Sequence, residues 1–361
     1  MSEAARKLKE LLFKPQNSIF ILTGVLILLI SGAIYVLLGK QASDSLVEQM
    51  LHREQLSARA GAGSLESFFI LYGKAQSSFS TRREIISPAE NTNESLYNFI
   101  ARWEGTPVAG VIFVDTSGRV KYNGNRQNAP DVGADVSDRS YFVWGKTAKK
   151  GEVLVSEPII SRLGASKGKY VVTVSTPVIA GDGSFEGLLA GAVILGELTD
   201  QYLDPLKISD KTRIYLVDND GIILSSPVEK LIGVNYLDYI LKSGIPGSQK
   251  VYEILKGSLE SNDEGKMDLA LPDETKNGFL TRYLIARAPV NVGGEHWTLG
   301  VATPASDALE YLAPFYFKNL GIAGLAFLAF LMIAIRVAKV VGYKEAVEAE
   351  HEAHGIKRVD N

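Results

Sequence analysis

Two long apolar segments bracket this chain and set the terms for everything between them. Ile19 to Leu38 (IFILTGVLILLISGAIYVLL) carries no charged residue. At helical rise it is long enough to cross a hydrocarbon core of ~30 Å. Ala313 to Ile335 (APFYFKNLGIAGLAFLAFLMIAI) is the second, interrupted only by Lys318-Asn319 near its start. Lys318 can snorkel to the interface, and Phe315, Tyr316 and Phe317 suit an aromatic belt. Arg6, Lys7, Lys9 and Lys14 precede the first segment, and Arg336, Lys339 and Lys344 follow the second. Basic flanks stay on the cytoplasmic side. The expectation is a cell-membrane (inner or plasma membrane) protein with a cytoplasmic N-terminus over 1–17 and transmembrane helices over 18–38 and 313–335. An extracytoplasmic domain occupies 39–312, and a cytoplasmic tail 336–361. The first segment reads as an anchor rather than a signal peptide. Signal peptides typically carry about 7–15 apolar residues before a small-x-small site, and Gly39-Lys40-Gln41-Ala42 makes a poor one.

Composition places the intervening region among globular proteins. The chain of 361 residues is 46% hydrophobic and 22% charged, which is neither stalk nor disorder. A net charge of −3 argues against a nucleic-acid partner. Absence of cysteine rules out a disulfide framework and thiol chemistry, which for an exterior domain suits a bacterial or archaeal envelope. The histidines are His52, His296, His351 and His354, without paired ligand spacing in the strand-rich region. No phosphate-cradling glycine loop, nucleophile elbow or zinc signature occurs. The expectation is a non-enzymatic protein with no catalytic residue, no metal site and no cofactor.

From Gln41 to about Arg83 there is no proline, and Leu46, Met50, Leu65, Phe68, Phe69 and Tyr72 recur at helical spacing. A long helix over about 41–86 is predicted, broken in propensity by Gly61 and Gly63 at roughly 1 kcal/mol each. Such a helix can transmit motion or dimerise, or serve as the backbone of the domain. A short amphipathic helix follows over Ser95 to Trp103. Beyond it the sequence repeats. Val111-Ile112-Phe113-Val114-Asp115-Thr116-Ser117-Gly118 matches Ile214-Tyr215-Leu216-Val217-Asp218-Asn219-Asp220-Gly221. Each copy is a β-branched strand leading into a turn opened by Asp and closed by Gly, the signature of a hairpin. Later in each copy a second hairpin is predicted, Tyr170 to Leu195 and Tyr283 to Ala302. Two copies of hairpin, insert, hairpin imply two similar antiparallel sheets and an α+β fold.

The stretch Asp138-Arg139-Ser140-Tyr141-Phe142 resembles the "DRxYF" signature of the double Cache domains of bacterial and archaeal membrane receptors. Support comes from Gly151, Ser156-Glu157-Pro158-Ile159, Thr176-Pro177-Val178 and Gly183-Ser184-Phe185-Glu186-Gly187, in that order between two anchors. The resemblance covers about Gln41 to Leu312. It implies two PAS-like halves, distal over about 95–205 and proximal over about 206–305, stacked on the long helix. It also implies a ligand pocket in the distal half, lined by Arg139.

A guanidinium matches a carboxylate through two hydrogen bonds; the alternative for Arg139 is an ion pair with Asp135 or Asp138. Tyr141 offers an apolar wall with a hydroxyl tip, and Phe142 packs beneath. Trp144 either closes the pocket or belongs to the core. Alternation puts Val171, Thr173 and Ser175 on one face of their strand, so the two hydroxyls can meet a ligand or solvent. Lys167 and Lys169 can reach the rim or stay solvated. In amino-acid-sensing relatives the next strand provides an aspartate for the ligand's ammonium, and in dicarboxylate-sensing relatives a lysine; here Ala192 aligns with that position. A small monocarboxylate, or no small ligand, then gains over α-amino acids and C4 dicarboxylates.

Residues 336–361 hold one short charged helix (Tyr343 to His354) and a tail, too little for an output domain. The expected ligand-binding residues are therefore Arg139, Tyr141, Trp144, Lys169, Thr173 and Ser175. The function they describe is a sensor of a small, anionic molecule, homodimeric, in contact with the lipid bilayer, signalling through a separate cytoplasmic output protein. The alternatives are a receptor truncated of its output domain and a structural subunit of an envelope complex.

Overall fold

A computed structural model describes residues 15–89, 91–244, 246–273, 279–310 and 313–356. The basic residues Arg6, Lys7, Lys9 and Lys14, and Tyr311 and Leu312, lie outside the described residues. The chain divides into two compact units, Met1–Val47 with Ala308–Asn361, and Glu48–Asp307.

The first unit contains the start of helix α1 (Pro15–Ser80) and helix α9 (Ala313–Ile356). Within α9, Tyr316–Ile333 has a mean hydropathy of 1.7 and no buried residue. Among the described residues it is the one helix with the length and apolar content of a membrane span. Leu29, Val36 and Leu37 of α1 and Phe317, Leu325 and Met332 of α9 expose apolar side chains, a surface that lipid would satisfy. Small residues let the two helices meet. Tyr316 Oη donates to the Gly39 carbonyl at 3.1 Å, its ring meets Tyr35 edge-on at 5.8 Å, and Gly24 faces the Phe330 ring.

In the second unit α1 buries Ala58, Ala62, Leu65, Phe69, Tyr72, Gln76 and Phe79, a stripe at three- and four-residue spacing. Gly61 belongs to this contact. A Cβ there would stand 2.5 Å from Leu299, so glycine trades helix propensity for close approach to the sheet. The helix ends at Ser80, and Arg82 adopts extended backbone (φ −71°, ψ 147°), which splits the expected 83–86 end into a separate turn, α2 (Arg83–Ile86). Helix α3 (Thr92–Ala101) follows.

Two antiparallel sheets come next. The first has strands β1 (Val108–Asp115), β2 (Val120–Asn125), β3 (Leu154–Val155), β4 (Ile159–Ile160), β5 (Tyr170–Ile179) and β6 (Phe185–Ile194), with α4 (Ser140–Gly145) inserted and α5 (Leu195–Leu198) after. Its order is β2-β1-β6-β5-β3, with β4 also on β5. The second has β7 (Arg213–Asp218), β8 (Ile223–Ser225), β9 (Gly265–Asp273), β10 (Phe279–Val292) and β11 (Glu295–Pro304), ordered β8-β7-β11-β10-β9. Helices α6 (Tyr236–Lys242) and α7 (Ser248–Glu260) fill its insert, and α8 (Ala305–Glu310) follows it. The two orders are the same permutation, as the sequence repeat requires.

The turn chemistry behind the repeat is visible in both first hairpins. Asp115 Oδ1 accepts from the N–H groups of Ser117 (2.9 Å) and Arg119 (3.0 Å). Asp218 Oδ1 accepts from Asp220 (3.0 Å) and Ile222 (2.8 Å). Gly118 and Gly221 supply the positive φ, 87° and 84°. One face of each sheet packs on α1: Val111, Phe113, Val172, Val174 and Leu189 from the first, and Val290, Trp297, Leu299 and Val301 from the second, share a core with Leu65, Phe69 and Tyr72. This leaves the opposite, front face of each sheet free to build a cavity.

Candidate functional site

Pleating alone sorts the first sheet. Val172 and Val174 point back at α1, and Val171 and Thr173 point forward. Directly across from Thr173 stands Ala192, and Ala192 in turn faces Gly110 on β1. With Ala190 they give a row of small residues at the sheet centre, and the front surface is hollow there. The hollow encloses about 550 Å³ of space, its open mouth included, within the size range of small-molecule sites.

Loops supply the walls. The segment 161–166 crosses the mouth, held by a Ser161–Ser166 hydroxyl contact of 2.9 Å and by the Gly164 N–H, which donates to Asp131 Oδ1 at 2.9 Å. Gly164 has φ 55°, and a Cβ on it would press against Asp131. Asn125, itself buried, donates to the Ala129 carbonyl at 2.9 Å and accepts from the N–H groups of Gln127 and Ala129. It thereby fixes the loop that carries Asp131.

Arg139 sits at the N-terminal cap position of α4 in extended backbone (φ −81°, ψ 137°) and lines the cavity. Asp138 is taken by Arg162 at 3.0 Å, and Asp135 accepts from Ser137 and pairs with Arg119 at 3.8 Å. Arg139 makes no ion pair among the described residues; the one hydrogen bond of its side chain is a long one, 3.4 Å, from Nη2 to the Ile160 carbonyl. Tyr141 is buried in the wall, and burial pushes its phenol up to about 12. Thr173 Oγ1 is buried without a hydrogen-bond partner among the described residues, although its N–H donates to Ser156 Oγ at 2.9 Å.

The fold thus brings Arg139, Tyr141 and Thr173 together around one cavity, with Ala192 in its floor. Trp144, Ser175 and Lys169 stand outside that lining. Trp144 packs on the cluster of Val114, Val136, Phe142 and Leu188. Ser175 is fully buried on the front face opposite Ala190, beyond the cavity. Lys169 pairs with Glu197 at 3.2 Å. Phe142 packs beneath, edge-on to Phe185 at 6.5 Å. Sequence reasoning passed over Asn125, Asp131, Ser161, Arg162 and Ser166. Asn125 to Asp131 (NRQNAPD) reads as a turn-rich loop, and only the fold shows that its ends meet at the cavity.

Among the described residues, the geometry is that of a polar-edged, apolar-floored hollow with one unpaired cation, one carboxylate and one idle hydroxyl. The Cache domain family model matches residues 37–312. No curated protein matches the chain in sequence. Among solved structures, an extracellular ligand binding receptor from Desulfohalobium retbaense is similar at 13% identity and a TM-score of 0.52, over 69% of this chain and 40% of that one. The ligand-binding domain of the Pseudomonas fluorescens chemoreceptor CtaA, in complex with L-isoleucine, is similar at 15% identity and a TM-score of 0.51, over 74% of this chain and 98% of that one. At such identities the likeness speaks for the fold, a long helix followed by two antiparallel sheets, and with the family model spanning most of the sequence the chain belongs to the Cache domain family, in its two-sheet, double form.

Proposed function

We propose that this protein is a membrane-anchored sensor whose distal cavity takes up a small carboxylate on Arg139. The observation that carries the reading is Arg139 itself: a half-buried guanidinium, free of any ion pair among the described residues, at the edge of a hollow with an apolar floor. A charge in such a place calls for an anion. The unpartnered hydroxyl of Thr173 offers a second contact. The L-isoleucine bound by CtaA, on a similar fold, is also a carboxylate. In this reading both termini are cytoplasmic, two copies pair, and α9 hands the signal to a separate output protein. Ligand binding is its only task, as suits a domain family of receptor modules.

Two ligand classes follow from two residues. Ala192, in the floor, supplies no charge for an ammonium group, which favours a monocarboxylate such as acetate or propionate. Asp131, in the wall, provides a carboxylate at the same cavity, which favours an α-amino acid held between Asp131 and Arg139. Calorimetric titration of the full chain in lipid nanodiscs with propionate and with L-alanine separates them. Saturable binding of either, lost in Arg139→Ala, supports the sensor. Absence of saturable binding across small carboxylates and amino acids would instead favour a structural subunit.

A further inference from the structure

The front face of the second sheet carries a cavity of its own, and its chemistry differs from that of the first. It encloses about 700 Å³, mouth included. Met267, Leu271 and Ile285 on the sheet, with Leu237 and Leu255 on α6 and α7, make its lining almost wholly apolar. Tyr215 and Tyr236 stack at 6.4 Å along one side. Among the described residues one charged residue lines it, Arg287 on β10.

The sheet is built to hold that arginine flat. In register, Arg287 faces Gly300 on β11 and Gly265 on β9. A Cβ at position 265 would come within 2.7 Å of Arg287 Nε, so a side chain there would push the guanidinium aside. Nη1 donates to the Ser258 carbonyl and Nη2 to Ser261 Oγ, both at the end of α7. The Nε–H is buried and has no partner among the described residues. No carboxylate pairs with Arg287 among those residues; Asp263 acts on it only at longer range, and burial lowers its pKa below the usual arginine value. A cation so placed lacks an anion, and the space in front of it is shaped for an apolar body.

We propose that this second cavity binds a monoanion with an apolar body, a small aromatic or medium-chain carboxylate, whose head group meets Arg287. The competing role for Arg287 is purely structural, as a cation closing the C-terminus of α7. The two differ in what they predict for charge selectivity.

The test uses the full chain in lipid nanodiscs, with empty discs as blank, titrated with 3-phenylpropionate and its neutral counterpart 3-phenylpropionamide. The acid is expected to bind saturably and the amide roughly tenfold or more weakly. Made in the Arg139→Ala background, so that the second cavity alone keeps its arginine, Arg287→Gln should bring the acid down to the level of the amide. Ala302→Leu, which fills the cavity and keeps the contacts of Arg287, should weaken both probes and guards against a misfolded arginine variant. The proposal is overturned if acid and amide bind alike, or if no saturation appears up to about 10 mM. It is equally overturned if the acid follows Arg139 instead of Arg287, or if Arg287→Gln lowers the melting temperature with acid-over-amide preference intact.

Discussion

The Arg139 guanidinium reaches the carbonyl of Ile160 at 3.4 Å, and this long hydrogen bond is the only one its side chain makes among the described residues. The nearby acids Asp135 and Asp138 are engaged by Arg119 and Arg162, so little in the fold depends on the guanidinium. Arg139→Ala should therefore leave the melting temperature within about 1 °C to 2 °C of the parent, since surface-type losses are small. Carboxylate binding should fall by on the order of 2–5 kcal/mol. Parallel thermal melts and titrations give both numbers. Unchanged affinity, or a large loss of stability, would show that Arg139 serves the fold instead.

Position 192 tests charge selectivity. Ala192 lies between Gly110 and Thr173 in the sheet register, with room for a longer side chain toward the hollow. Ala192→Asp is expected to shift preference toward ligands bearing an ammonium group, measured as the ratio of L-alanine to propionate affinity. Asp131→Asn should shift it the other way if Asp131 already serves that role. An unchanged ratio in both variants removes charge pairing from the selectivity of this cavity.

How much of this the sequence revealed depended on distance along the chain. The two sheets were readable because their turns are local: Asp115 and Asp218 close their hairpins onto residues two and four positions ahead. Face assignments within β5 were readable because pleating is strict, and Val171 and Thr173 do share the cavity side. The long helix is legible from its apolar spacing, and the helix expected over 18–38 and the one expected from Gln41 join in α1, which runs from Pro15 to Ser80. The cavity wall was the least legible part. Asp131 meets Gly164 across 33 positions of sequence that include α4, β3 and β4, and no periodicity encodes a contact between two irregular segments. Trp144 and Lys169 were plausible by residue type alone, but their surroundings, an apolar cluster and Glu197, are tertiary facts.

Glu54 makes stability depend on pH in an unusual direction. It is fully buried on α1, and burial pushes its carboxyl up to about 8 against the pull of Thr303. The Thr303 hydroxyl is committed to Thr212 Oγ1 at 2.9 Å, and neither Glu54 oxygen has a well-formed hydrogen bond among the described residues. The folded protein keeps this proton after the unfolded chain has released it near 4.5. Stability from this group is complete below about 4.5 and falls as pH rises toward about 8, at ~1.4 kcal/mol per unit over the interval. Denaturant unfolding between pH 5 and 8.5 should show the decline, and Glu54→Gln should flatten it. A wild-type curve no steeper than that of the variant would refute the assignment.

The second sheet is pinned at its far end by Arg213 and Asp273, 2.8 Å apart and both largely buried, with Arg213 also 5.4 Å from the centre of the Tyr283 ring. Removing one partner strands the other's charge. Asp273→Asn is expected to destabilise the protein by about 3 kcal/mol, and Arg213→Lys by less, because lysine keeps the charge opposite Asp273 while losing the planar fork. Equal and small effects in the two variants would mean that solvent reaches the pair and screens it.

Pairing of two copies can be read along α1. Leu56 and Ile70 are about half exposed and fourteen positions apart, and Gly63, midway between them, faces open space. That seven-residue spacing puts all three on one side of the helix, an apolar seam of the kind that pairs helices. The chain has no cysteine of its own, so single cysteines placed from Ser43 to Leu56, and at Gly63 and Ile70, can form disulfides only between copies. In native membranes, crosslinking is expected to peak at Leu56, Gly63 and Ile70 and to recur with helical periodicity nearer the membrane. Ligand can alter signalling only if it favours one of two arrangements of this helix, so the pattern between Ser43 and Leu56 should shift when a saturating carboxylate is added. Crosslinks that appear with periodicity but ignore ligand would leave a dimer that does not transmit. None at any position would point to a single copy working alone.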